Sequence, residues 1–286
     1  MGRESNRGKH HALVVEGGAM RGIFSTGVLD AFLEKSFNPF DLFIGVSAGA
    51  TNIASYLAEM YQRNLKVYTD YSIRPDFISW KKFIRGGHLI DLDWLWQLTV
   101  KEIRLDLDKI FQPAKEYYIG VTEVNTGKAV YLKPEKNTLE KVLKASSSIP
   151  IFYRHFTKID GIDFADGGMA DPIPVIEAYR RDATSIVVIR SRPYSYQMRK
   201  SFFQLLSKVY LRNYPGLINT VMNRPKIYQK SLDFMRHPPK GIRIFEVNPP
   251  ENFQTKRLTT NLSILKQDYR YGYQMGMELI EQWHQS

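Results

Sequence analysis

Cysteine is absent from the 286 residues. Disulfides, zinc–thiolate sites and thiol catalysis are therefore excluded, and the composition fits a reducing compartment. Long apolar runs are missing too. The longest uncharged stretch, residues 42–58, is interrupted by Gly45, Ser47, Gly49, Thr51, Asn52 and Ser55, whereas a membrane-spanning helix needs about 20 mainly apolar residues. The run at residues 12–15, behind a polar and basic start, is too short for a signal-peptide core. Gly2 has Asn6 where a myristoylation signal wants Ser or Thr. The expectation is a cytoplasmic, soluble protein. No nucleic-acid-binding module is present, so no nucleic-acid partner is expected. Nothing in the chain bears on oligomeric state.

What is present supports a packed core. Hydrophobic residues make up 43% and charged residues 24%, enough for one large domain or one domain with an extension. The net charge of +11 is unevenly placed. Residues 183–286 carry 16 Lys and Arg against 6 Asp and Glu, while residues 1–182 carry 24 against 23. A basic surface serves nucleic acid, anionic lipid or an acidic substrate, or is simply a solvated face.

Strand-like and helical segments alternate along the first two thirds. Residues 11–15, 41–46, 117–121, 129–133, 159–164, 185–190 and 242–247 read as strands. Residues 23–35, 48–61, 138–145 and 174–181 read as helices. Such alternation argues for an α/β fold, with a mostly parallel central sheet flanked by helices. Residues 68–113 are less regular and hold Trp80, Trp94 and Trp96. They read as ordinary aromatic packing, with a lid or cap insertion as the alternative. Residues 201–211, 216–235 and 261–283 read as helices, so the chain divides into residues 11–190 and a basic, largely helical region, 191–286, packed against them.

Three segments carry chemistry. Gly45-Val46-Ser47-Ala48-Gly49 follows a buried strand and precedes a helix, the context of a nucleophile elbow. Glu16-Gly17-Gly18-Ala19-Met20-Arg21-Gly22 links the first strand to the first helix and can present backbone N–H groups to an anion. It breaks the dinucleotide pattern at Ala19 and lacks the Gly-Lys-Ser/Thr of a P-loop, which leaves an oxyanion hole as the better fit. Phe164-Ala165-Asp166-Gly167-Gly168 ends another strand, so Asp166 emerges where it can accept a serine proton. No metal or organic cofactor is expected.

These three segments, in this order, together with Lys144-Ala145-Ser146-Ser147-Ser148-Ile149-Pro150, resemble the patatin-like phospholipases. The similarity covers about residues 11–190 and is closest to the bacterial branch, which has a further C-terminal region. The resemblance implies Ser47 as nucleophile, Asp166 as general base, oxyanion-hole amides on Gly17, Gly18 and Ala19, and Arg21 helping to set that loop. Gly22, Gly45, Gly49, Gly167 and Gly168 complete the motifs. Ala19 stands where the family often has a third glycine, and alanine donates equally well at negative φ. The implied activity is a serine lipid acyl hydrolase acting on phospholipid or another acyl ester through an acyl-enzyme, with contact to an anionic membrane surface through Lys81, Lys82, Arg85 and the basic tail. A soluble-ester carboxylesterase or thioesterase, and a non-catalytic lipid-binding protein, are the alternatives. A Ser-Asp-His triad is the rival arrangement, but His155, His237 and His284 read as surface or core residues.

Overall fold

The β-branched and aromatic runs of the sequence become the strands of one eight-stranded sheet. The computed structural model describes residues 10–199 and 202–285; Gly2 and the polar start lie outside them. In chain order the elements are β1 (His11–Val15), α1 (Ile23–Glu34), β2 (Leu42–Val46) and α2 (Ala48–Leu57), then the one-turn α3 (Arg63–Lys66), α4 (Trp80–Ile84), α5 (Leu92–Glu102) and the one-turn α6 (Leu107–Ile110). Next come β3 (Glu116–Glu123), β4 (Ala129–Leu132), α7 (Leu139–Ser147), β5 (Thr157–Ile159), β6 (Ile162–Asp166), α8 (Val175–Arg180) and β7 (Ser185–Ile189). The chain ends with α9 (Phe202–Tyr210), α10 (Pro215–Arg236), β8 (Arg243–Val247) and α11 (Leu262–Gln285).

The central strands β3-β2-β1-β7-β8 are parallel, and β4, β5 and β6 add an antiparallel edge. Alternate residues serve opposite faces. Leu13, Val15, Phe43, Val187 and Ile189 join a core with α1, α2 and α7. Ala12, Val14, Ile44, Ile186 and Val188 join another with Val175 and Ala178 of α8 and with Tyr228 and Leu232 of α10. Both faces are thus covered, as a parallel sheet requires.

Two expectations change in detail. The expected strand 159–164 is a tight hairpin: β5 and β6 pair across Ile159 and Ile162, with Asp160 and Gly161 at positive φ in the turn. The helix expected at 48–61 ends at Leu57, because the chain enters the left-handed region at Glu59 and again at Gln62.

The last third is built into the sheet. β8 pairs with β7 in parallel. α11 lies against α1 so closely that a Cβ on Gly27 would stand 2.1 Å from Tyr269 O, and one on Gly272 2.0 Å from Phe24 O. Only glycine permits that approach.

The ladder on β3 places the key strand ends. β2 runs parallel along residues 116–120 of β3, ending at the pair Val46–Gly120. β6 runs antiparallel along residues 121–123, ending at Asp166 opposite Val121. β4 overlaps both partners and so must take the other edge of β3. β2 and β6 therefore share one edge and run towards each other, meeting where Ser47 and Asp166 leave their strands.

Candidate active site

Ser47 sits between β2 and α2 with φ 54° and ψ −127°. For a residue with a Cβ this backbone costs on the order of 1–3 kcal/mol and persists only when its surroundings impose it. Gly45 and Gly49 let the turn close: a Cβ on the first would meet Ala50 Cα at 2.6 Å, and one on the second would meet Val15 O at 2.3 Å. Here the G-x-S-x-G glycines answer a need for space, since neither has positive φ. The strained peptide is also held by hydrogen bonds. Ser47 N–H donates to Ser146 Oγ at 2.7 Å, and Ser146 Oγ–H donates to Gly120 O at 2.6 Å. The positive end of the α2 dipole lies immediately behind the hydroxyl.

Asp166 is 6% exposed. Its N–H donates to Ser148 O at 3.0 Å, and its Oδ1 accepts the Gly168 N–H at 2.8 Å. The segment Ser146–Ser148 therefore grips the backbones of both Ser47 and Asp166. Asp166 Oδ2 is buried without a hydrogen-bond partner. Burial raises the pKa of this carboxyl above the usual carboxylate range; the facing Ser47 hydroxyl, the charge of Arg224, the Gly168 N–H and the charge of Arg257 oppose the rise. A carboxylate shifted upward in this way is a stronger base than a free aspartate.

The glycine-rich loop lies beside this pair. A Cβ on Gly17 would come within 2.9 Å of Val46 O and 3.0 Å of Ser47 Cβ. Among the described residues, the N–H groups of Gly17, Gly18 and Ala19 donate to no protein acceptor. Unpaired amides beside a hydroxyl suit a developing oxyanion. Ala19 departs from expectation: its φ is +49°, in the left-handed region rather than at negative φ. The N–H remains a donor, but the alanine carries a conformational cost of about 1–2 kcal/mol. Arg21 packs beneath Gly18, and its Nε is buried without a partner.

Sequence reasoning missed what anchors the loop. Glu16 Oε2 accepts the Ser191 N–H at 2.7 Å, and Glu16 Oε1 accepts the Tyr228 hydroxyl at 3.2 Å. Arg190, fully buried, donates to Tyr228 Oη at 2.9 Å and to Glu246 at 2.5 Å. Ser191 Oγ–H also donates to Gly17 O at 3.1 Å. These partners lie 174 residues or more from the loop in sequence.

Two chambers flank Ser47. One, of about 120 Å³, is mainly apolar and is walled by Phe77, Ile90, Leu92, Leu95, Trp96 and Val100. The irregular region 68–113 thus does two things: Trp96 packs, with Nε1–H donating to Glu140 O at 2.7 Å, and its neighbours line a cavity. The other chamber, of about 600 Å³, is more polar and also reaches Asp166 and the loop amides. Among the described residues no histidine lines either chamber, and His155, His237 and His284 are absent from both walls.

Comparison with known proteins places these features in a wider group. The family model "Patatin-like phospholipase" matches residues 13–179, and a domain of unknown function (DUF6363) matches residues 214–286. The uncharacterized protein YjjU of Escherichia coli K12 is 36% identical over 269 residues, covering 93% of this chain and 75% of that protein. Among solved structures, VipD from Legionella pneumophila aligns with a TM-score of 0.48 at 14% identity, over 96% of this chain and 67% of that one. The human group IVD cytosolic phospholipase A2, solved with a fluorophosphonate inhibitor, aligns with a TM-score of 0.45 at 12% identity, over 96% and 59%.

Proposed function

Because the chain belongs to the patatin-like phospholipase family, we propose that it is a serine lipid acyl hydrolase working through a Ser47–Asp166 dyad. The observation that carries this reading is the meeting of a strained, buried serine with a buried carboxylate beside three unpaired backbone amides. Ser47 Oγ attacks the ester carbonyl as its proton passes to Asp166. The Gly17–Ala19 amides take the negative oxygen of the tetrahedral intermediate. The intermediate collapses to acyl-Ser47, and Asp166 returns the proton to the departing alcohol. Water, giving a proton to Asp166, then attacks the acyl carbonyl, releasing the fatty acid and restoring the serine. The apolar chamber takes the acyl chain.

A fluorophosphonate probe is expected to label Ser47, as read by mass spectrometry. Ser47→Ala and Asp166→Asn each lower hydrolysis of a p-nitrophenyl ester on the order of 10⁴-fold or more. Wild-type rates in either variant remove the dyad.

Contact with an anionic membrane fits the same reading. Trp80 and Ile84 of α4 are 59% and 82% exposed, and Val209 of α9 is 73% exposed. Arg154 donates to Phe83 O in α4 and bears electrostatically on Tyr210 in α9, so the two helices lie near one another. Lys81, Lys82, Arg85 and Lys208 are exposed and lie near them in sequence, and each cation near such a surface contributes about 1 kcal/mol. Cosedimentation with anionic vesicles is expected to exceed that with neutral ones and to fall in the Trp80→Ser/Ile84→Ser variant. Equal binding to both vesicle types reduces these residues to a solvated face.

A further inference from the structure

The larger, more polar chamber beside Ser47 is walled by Arg21, Arg192, Arg199, Arg224, Lys256 and Arg257. Five of these six lie beyond residue 183, outside the segment matched to the phospholipase family. The chamber's carboxylates are Glu16 and Asp166. Glu16 has both oxygens engaged, by Ser191 N–H and Tyr228 Oη–H, and Asp166 faces Ser47. Both carboxylates act electrostatically on the arginines, Glu16 on Arg21 and Asp166 on Arg257, but six cations share the chamber with only these two among the described residues.

Their donors point the same way. Nε of Arg21 and Nε of Arg192 are buried without a hydrogen-bond partner, and such orphaned donors are costly unless a ligand completes them. Crowding of like charges weakens the hold of these guanidinium groups on their protons as well. Burial, with Arg192 and Arg257 nearby, brings Arg21 down to about 9, and burial together with the Arg224 charge brings Arg257 to about 10. An anion among these groups relieves both strains at once.

The chamber is poorly suited to a cationic head group. Its two aromatic rings, Phe152 and Tyr196, are the surfaces that would bind a quaternary ammonium. Arg192 already lies 4.4 Å from the Tyr196 ring centroid, and Arg257 lies 6.0 Å from that of Phe152. Of the two described carboxylates, Glu16 is engaged on both oxygens and Asp166 faces Ser47, so an ammonium would meet mainly cations.

We propose that the C-terminal third builds an anion site on the alcohol side of the scissile ester, selecting acyl esters whose leaving alcohol carries a phosphate with net negative charge over choline-bearing and uncharged ones. This rests on the dyad reading above. The site takes the phosphate in charge-assisted, partly bidentate hydrogen bonds from arginine, while the acyl chain occupies the opposite chamber.

The experiment uses the full chain and palmitoyl esters in mixed micelles of an uncharged detergent. Lysophosphatidate is expected to exceed lysophosphatidylcholine and monopalmitoylglycerol in kcat/KM by about tenfold or more, since one hydrogen bond to a charged group is worth that much. Arg192→Gln shrinks the preference, and Arg192→Lys, which keeps the charge, restores part of it; melting temperature serves as the fold control. Equal turnover of the three lipids, or a preference unmoved in Arg192→Gln, overturns the proposal. A second arm does not depend on hydrolysis. Glycerol 3-phosphate is expected to bind the Ser47→Ala protein by calorimetry at low salt, and more weakly when Arg192→Gln is added. Such binding supports the site even if no lipid is cleaved, while no binding overturns it. Inorganic phosphate binding as tightly as glycerol 3-phosphate also overturns it, by assigning a free-phosphate site.

Discussion

The two walls around Ser47 have opposite chemistry and opposite origins. The apolar wall comes mostly from residues 68–105, between the second strand–helix unit and β3. The cationic wall comes mostly from residues 192–257, after the last strand of the family-matched segment. Ala19, Ser47, Ile149 and Arg257 border both. The difference teaches that the sheet positions the proposed reacting pair, while the walls on either side belong to segments added around it. One wall acts through burial of apolar surface and the other through charge, so the two should respond to different perturbations.

The largest effect is expected on the apolar side. Val100→Trp fills part of the apolar chamber and, on the proposed function, should lower the ratio of long-chain to short-chain ester hydrolysis by about tenfold, since each lost methylene contact is worth a sizeable factor. An unchanged chain-length profile would sever that chamber from the acyl group. A smaller effect is expected across the boundary. A base must be deprotonated to act, so activity rises with pH through the raised Asp166 pKa and then levels off. Arg257 favours the charged carboxylate. Arg257→Gln should therefore move the acid limb of the kcat/KM profile to higher pH, whereas Val100→Trp should leave it in place. A limb that moves in both variants, or in neither, breaks the division between the walls. The smallest effect concerns Ala19 between them. Ala19→Gly relieves about 1–2 kcal/mol of left-handed strain but adds conformational freedom to the unfolded chain. A net gain below about 1 kcal/mol is expected in urea unfolding.

Legibility in the sequence followed the range of the interactions. The elbow at Ser47 depends on neighbours within a few residues, Gly45 and Gly49, so its pattern shows in a short window. Asp166 was readable as a strand end followed by two glycines. The hairpin at residues 157–166 was not, because Asp160-Gly161 interrupts a run in which Ile159 and Ile162 look continuous. Ser146 stood in a recognised segment, but its hold on Ser47 N–H spans 99 residues. The anchor from Glu16 through Tyr228 to Arg190, and the gathering of Arg192, Arg224 and Arg257, arise only when the last third folds onto the sheet. Composition recorded that third as basic and could not say that part of the charge points inward.

The head-on meeting of β2 and β6 along one edge of β3 makes the sheet a ruler. The gap between hydroxyl and carboxylate is set by consecutive rungs at Gly120 and Val121, not by the roughly 120 residues of chain that separate Ser47 from Asp166. Intervening loops can therefore lengthen, shorten or trade specificity while the spacing of the pair is conserved by the backbone itself.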